Sequence, residues 1–242
     1  MILLLDVGGT RLKWATWDGS FQFGDAVVHN DNPLELFEQQ SWHGVSAVWI
    51  SLVPRVRDVE GWTAAVQKRF GLMPQFGQSR AEWRGLRSAY AHPEKLGVDR
   101  WLAMVALWSE QQSPFCVISA GTALTFDRVN AQGQHLGGVI APGFGSMHRA
   151  LLSATRTTPE ATAHRYGPQL GQDSIGAIHQ GAFFAAMGVI GQALQAPGAD
   201  PAERRIITGG DGPVLIPYLV GPWQHRPYLA LEGLLALARD QA

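Results

Sequence analysis

Asp6-Val7-Gly8-Gly9-Thr10-Arg11-Leu12-Lys13 follows an apolar run, Met1 to Leu5, and leads into an alternating run from Leu12 to Trp17. The pattern predicts a buried strand, a glycine turn and a second strand. A carboxylate at the end of a buried strand is costly unless something pairs with it, such as a hydrated cation. The glycines would let backbone N–H groups approach a phosphate closely, Thr10 adds a hydroxyl, and Lys13 could neutralise transferring charge. An ordinary Gly-Gly hairpin would look the same. No Gly-Lys-Ser/Thr element follows, so this is not a P-loop. A strand rather than a helix comes next, so it is not a dinucleotide-binding turn either.

Half a chain later the pattern returns. Phe115 to Ser119 predicts a strand, Ala120-Gly121-Thr122 a small-residue turn, and Leu124 to Val129 a second strand. Two phosphate-facing hairpins, one from each half, are what an actin-like phosphotransferase uses to grip a nucleotide. The expected fold is therefore α/β, with two actin-like (ribonuclease H-like) domains around a nucleotide cleft. They would span residues 1–113 and 114–242, with the boundary near Ser113-Pro114. A third turn, Thr208-Gly209-Gly210-Asp211-Gly212, suits an adenosine contact or a plain tight turn. Helices are predicted over Val59–Phe70 with Gly71 as its stop, Asp99–Gln111, Ser146–Thr155, Asp173–Leu194 and Glu232–Arg239.

Composition narrows the function classes. Of 242 residues, 46% are hydrophobic and 16% charged, and the formal net charge is -1 with basic residues scattered. This suits a compact domain with a sizeable core and gives no electrostatic footprint for nucleic acid. No signal peptide is expected, and no apolar stretch is expected to reach the ~20 residues of a membrane helix. One cysteine, Cys116, sits among Phe115, Val117 and Ile118 and is expected to be an inert core thiol. Together these point to a soluble, cytoplasmic chain. Most of the nine tryptophans are expected to pack in the core.

Tyr90-Ala91-His92-Pro93-Glu94-Lys95-Leu96-Gly97-Val98-Asp99-Arg100 places a carboxylate just after a glycine at the start of an apolar helix. Spacing alone leaves Asp99 as readily an ordinary helix N-terminal carboxylate as a catalytic base, and Arg100 as readily a solvated charge.

Over nearly its whole length the chain resembles the type III pantothenate kinases. The resemblance is carried by Asp6 to Lys13, with Gly9 where the family has asparagine, and by Ser51-Leu52-Val53-Pro54. It continues through Tyr90, Pro93 and Gly97 to Arg100, then Gly121 to Asp127 and Gly137 to Gly143. Gly209-Gly210-Asp211 and Leu231-Glu232-Gly233-Leu234 complete it. The resemblance implies transfer of the γ-phosphate of ATP to pantothenate, giving 4'-phosphopantothenate, the first step of coenzyme A synthesis. It implies that Asp6, Val7, Gly8, Gly9, Thr10, Arg11, Leu12, Lys13 and Thr122 bind ATP. It implies that Tyr90, Gly97, Val98, Asp99, Arg100 and Ser174 bind pantothenate, with Asp99 as proton acceptor. Mg²⁺ near Asp6 through water and a homodimer with pantothenate at the subunit interface are implied too. Ser119 stands where the family has an aspartate that helps hold a monovalent cation, potassium or ammonium. A neutral hydroxyl binds a hard cation more weakly, so a reduced dependence is expected. The rival functions are a non-catalytic nucleotide-sensing protein of the same fold and a kinase of another small alcohol. Retention of Asp6, Lys13, Asp99 and Arg100 favours an enzyme over a decayed one.

Overall fold

The structure, a computed structural model, describes residues 1–155 and 166–240. The chain forms two compact units. Unit 1 is Met1–Gln112 with the C-terminal segment from Tyr228, and unit 2 is Ser113–Pro227.

In unit 1, β1 (Ile2–Val7), β2 (Arg11–Trp17), β3 (Phe21–Phe23), β4 (Val27–Val28), β5 (Ala47–Leu52) and β6 (Gln75–Phe76) form one sheet. Its order is β3-β2-β1-β5-β6, with β4 paired to β2. The pairings among β1, β2 and β3 are antiparallel, and those of β5 with β1 and with β6 are parallel. Helices α1 (Pro33–Gln39), α2 (Val59–Phe70) and α3 (Val98–Glu110) join it, and β7 (Glu82–Trp83) and β8 (Leu86–Arg87) form a small separate hairpin. Gly71 closes α2 in the left-handed region at φ 69°. Leu3, Leu5, Val7, Ile50, Phe37, Trp62 and Val66 make one core. Trp62 and Trp101 are fully buried, as the tryptophan pattern leads one to expect.

Unit 2 repeats this plan with β9 (Phe115–Ala120), β10 (Ala123–Val129), β11 (His135–Pro142), β12 (Arg204–Thr208) and β13 (Gln224–His225), in the order β11-β10-β9-β12-β13. Again the first two pairings are antiparallel and the last two parallel. Helices α4 (Phe144–Thr155) and α5 (Ser174–Gln195) and the short α6 (Gly212–Leu215) complete it. Cys116 is buried in its core, and burial together with Glu203 drives the thiol far above its ordinary range. An inert thiol follows.

Two expectations need correction. The last helix, α7 (Leu229–Asp240), does not belong with residues 114–227. It packs on α3, β1 and β5 of unit 1. Gly233 brings it against α3 so closely that a Cβ there would lie 2.1 Å from the Leu102 carbonyl oxygen. Nor is the chain without a helix of membrane-spanning length and apolarity. The 22-residue α5 qualifies by length and composition. Its Gly and Ala content hides a helical stripe, Ala182, Phe183, Ala186, Ile190 and Ala193, that builds the unit 2 core, and His179 and Gln180 are buried on the same helix. This is how the central helix of an α/β unit behaves.

The Gly233 approach gives a direct stability test. Gly233→Ala forces α7 away from a backbone atom, so stability should fall by about 1–3 kcal/mol. A shift of the urea midpoint at unchanged slope would register it, and an unshifted midpoint would show that the two helices have room to part.

Candidate active site

Alternation along β1 turns Leu3, Leu5 and Val7 into the core shared with Phe37 and Trp62. Ile2, Leu4 and Asp6 go to the opposite face, where α7 packs on β1 and β5, and α3 on β5. The register sets Lys13 directly across from Asp6 on one side and Ser51 on the other. Asp6 is buried, and neither its Oδ1 nor the Ser51 hydroxyl makes a hydrogen bond with a described group. Burial pushes the Asp6 carboxyl from 3.8 up to about 6. Lys13 pulls it back, the Asp99 charge adds to the rise, and the neighbouring Ser51 hydroxyl favours the anion. Asp6, Lys13 and Asp99 thus form one electrostatic cluster, gathered from the ends of β1, β2 and α3.

Asp99 lies in the first turn of α3 and is exposed; its Oδ1 accepts from the backbone N–H of Arg100 at 2.9 Å. Arg100 is buried beneath it and donates from Nη1 to the Tyr90 hydroxyl at 3.0 Å. Gly97 is the residue before the helix, where a Cβ would meet Asp99 Oδ1 at 2.8 Å. Val7 and Leu12 have fully buried side chains and Val98 a nearly buried one, so only their backbones could meet a ligand. Gly8 and Gly9 are half-buried and Thr10 and Arg11 exposed.

Unit 2 carries the second glycine hairpin, Gly121-Thr122, with Thr122 exposed. Three turns meet there, backbone to backbone. A Cβ on Gly143 would lie 1.9 Å from the Gly121 oxygen, and one on Gly209, at φ 90°, would lie 2.1 Å from the Ala120 oxygen. Asp211 N–H donates to the Ala120 carbonyl at 3.0 Å, and Gly143 N–H to that of Thr122 at 3.1 Å. Beside them is a small apolar hollow lined by Ala120, Gly121, Leu124, Phe144, Ala186 and Leu215, with Asp211 as its carboxylate. Ser174 is the exposed first residue of α5, whose N-cap Asp173 accepts from Gly176 N–H at 2.6 Å.

Ser119 is half-buried, with Thr125 directly across on β10 and Thr208 on β12. That row holds three hydroxyls and no carboxylate. Asp127 lies further along the strand and is committed elsewhere, bonded to His135 Nε2 at 2.9 Å in a fully buried pair. No group of three or more His, Cys, Asp or Glu side chains able to hold a metal occurs among the described residues. The orphaned Asp6 Oδ1 fits a divalent ion that takes its other ligands from phosphates and water.

The sequence reading missed His29. Its ring lies within 2.9 Å of the Gly8 carbonyl oxygen, and its own N–H donates to that of Thr10 at 3.1 Å. The available signal was the turn after it, Asn30-Asp31-Asn32, which is rich in residues that tolerate left-handed backbone.

Two units with one strand order and a glycine hairpin each define a member of the actin-like ATPase and sugar kinase fold. Among solved structures, a Campylobacter jejuni protein described as a Baf family transcriptional activator matches with a TM-score of 0.62 at 18% identity, over 99% of this chain and 98% of that one. The activator of the 2-hydroxyisocaproyl-CoA dehydratase from Clostridium difficile, with bound ADPNP, matches at 0.54 and 8%, over 99% and 94%. A family model described as type III pantothenate kinase matches residues 2–196. Type III pantothenate kinases of Nitrosococcus oceani and Halorhodospira halophila are 33% and 32% identical. They cover 99% and 100% of this chain, over 94% and 99% of their own lengths. The chain belongs to the type III pantothenate kinase family.

The raised Asp6 carboxyl predicts a trade between stability and binding. The folded protein holds the Asp6 proton more tightly than the unfolded chain, which loses it near 3.8. The stability this supplies is complete below about pH 4 and is lost as pH rises through about 6, a change of about 3 kcal/mol. Asp6→Asn should remove that loss, raising the melting midpoint at pH 7 in the absence of nucleotide while weakening Mg²⁺-dependent nucleotide binding. Thermal scans at pH 4.5 and 7 beside a calorimetric titration check both arms. Intact nucleotide binding in the variant would make Asp6 merely structural.

Proposed function

We propose that the protein is an ATP-dependent pantothenate kinase that makes 4'-phosphopantothenate and ADP, the first step of coenzyme A synthesis. The carrying observation is the Asp6–Lys13–Asp99 cluster in a chain of this family. Phosphoryl transfer demands positioning and charge neutralisation more than covalent chemistry by the protein. In unit 1 the Gly9 and Arg11 N–H groups and the Thr10 hydroxyl would meet phosphate, since the Gly8 N–H is taken by the Arg11 carbonyl, and in unit 2 Thr122 would do the same. Lys13 would neutralise the transferring group. Asp99, exposed at the start of α3, would take the proton of the primary hydroxyl as that oxygen attacks the γ-phosphorus and the bond to the ADP oxygen breaks. Tyr90, Gly97, Val98, Arg100 and Ser174 would contact pantothenate, with the Arg100–Tyr90 bond fixing the floor beneath Asp99. Mg²⁺, held through water near Asp6, would screen the phosphate charges when bound.

The working form would be a homodimer. Its support is apolar surface on neighbouring elements of unit 2: Leu136, Val139 and Ile140 on β11 and Phe184 on α5 are exposed. The reaction would take place in the cytoplasm, in keeping with a single buried thiol. The test of the whole reading is ADP release from Mg²⁺-ATP that depends on pantothenate. Nucleotide binding without such release would instead make the protein a sensor.

Asp99→Asn keeps shape and loses the base. Turnover should fall by about 10² or more at near-normal nucleotide affinity, and steady-state kinetics with near-normal turnover would remove Asp99 from the mechanism.

The hydroxyl row at Ser119, Thr125 and Thr208 supports a reaction with little need for potassium or ammonium. Turnover in sodium and potassium at matched ionic strength should differ by less than about threefold, and Ser119→Asp should widen that gap by restoring a charge. Strong activation of the unaltered protein by millimolar potassium would overturn this reading.

A further inference from the structure

His29 follows β4 and is buried beside the β1–β2 turn, at 3% exposure. Its Nδ1 lies 3.1 Å from the Asp31 backbone N–H, a group that only donates. The ring is therefore the tautomer with its proton on Nε2, and Nε2–H donates to the Gly8 carbonyl at 2.9 Å. The lock is held by an uncommon backbone: Asn30 and Asp31 are consecutive left-handed residues, at φ 44° and 66°. Such conformations cost energy at non-glycine residues and persist where the surroundings over-determine them. Here they aim the Asp31 N–H at the ring.

The effect falls on the turn itself. In a trans peptide the C=O and the following N–H point opposite ways. Drawing the Gly8 and Thr10 carbonyls toward His29 turns the N–H groups of Gly9 and Arg11 to the other side. A carbonyl facing a phosphate would repel it, and an N–H would bind it. In unit 2 the Thr122 carbonyl is likewise taken, by the Gly143 N–H and, at 2.7 Å, by the Ser146 hydroxyl, which turns the Ala123 N–H the other way, while the Gly121 N–H is held by the Ala123 carbonyl. Both glycine hairpins have their carbonyls withdrawn, one by backbone and a hydroxyl, the other by a histidine.

We propose that His29 is a positioning residue for nucleotide phosphate, keeping the Gly8-Gly9-Thr10 turn with the Gly9 and Arg11 N–H groups outward. This rests on the reading of that turn as the ATP site. Calorimetric titration of the full-length protein with Mg²⁺-AMPPNP tests it without requiring turnover. His29→Phe fills the space without a donor and should bind at least about tenfold more weakly. His29→Gln, which can donate from near the Nε2 position, should recover to within about threefold. The KM for pantothenate should be unchanged in both. Binding by His29→Phe within twofold of the unaltered protein would overturn the inference alone. Unaltered protein that binds no nucleotide would overturn the ATP reading with it. Equal losses in both variants, alongside equal falls in melting midpoint, would reduce His29 to a core residue. Should His29→Phe not fold, two-bond ¹H–¹⁵N spectra of the unaltered protein decide. An Nε2–H tautomer whose signals move on adding Mg²⁺-AMPPNP is expected, and an Nδ1–H tautomer or unmoved signals would overturn the proposal.

Discussion

A charged group at the end of an apolar strand sets the terms for unit 1. Asp6 loses water on entering the sheet and recovers only part of that cost from Lys13 across the β1–β2 ladder. A second carboxylate, Asp99, makes matters worse. A fold selected for stability alone would place a leucine there, continuing the run of Leu3, Leu4 and Leu5. The surrounding architecture tolerates the expense because β1 is covered on both faces and paired on both edges, so the strand cannot swing its end into solvent. Strain of this kind is the usual mark of a site prepared for a ligand that will supply the missing charge.

The duplication explains why the second site element looks so different in composition yet alike in form. Both units use three antiparallel strands followed by two parallel ones, and both turn sharply between the first two. In unit 2 the turn is packed against two more glycine turns at distances no side chain could share, which ties three separated motifs, at Gly121, Gly143 and Gly209, into one backbone knot. In unit 1 the corresponding turn has open space around Gly9, and the glycine is excused from packing. A side chain at position 9 would stand in open space, so the glycine there leaves no void.

The strands and long helices were legible because burial imposes a period. Val59–Phe70 with its Gly71 stop is found as expected, and the repeated strand–turn–strand pattern announced the duplication. What stayed hidden depends on partners distant in sequence. Glu232–Arg239 read as a helix, but nothing in that segment reveals that Gly233 seeks the Leu102 carbonyl. Short strands such as Val27–Val28 carry too few residues to show alternation, and with that strand the placement of His29 was lost. Among the site residues, Asp6, Lys13 and Asp99 converge. The motif's Val7 and Leu12 turned out to be core side chains, since a motif records neighbours in sequence without saying which way each one faces. Asp127, the carboxylate of the Gly121 to Asp127 motif, is held by the ring of His135 on the neighbouring strand, a pairing that nothing in the local sequence signals.

The chain enters and leaves through the same unit. Unit 2 is one uninterrupted stretch, whereas unit 1 needs both an N-terminal sheet and a helix made more than a hundred residues later. During synthesis unit 2 has everything it requires before unit 1 does. The early strands must wait, with the face that α7 will cover still open to the solvent and to any chaperone that binds apolar surface. A premature stop after Pro227 would leave unit 2 whole and injure the unit whose strands were translated first, so that damage at the tail is read out at the head.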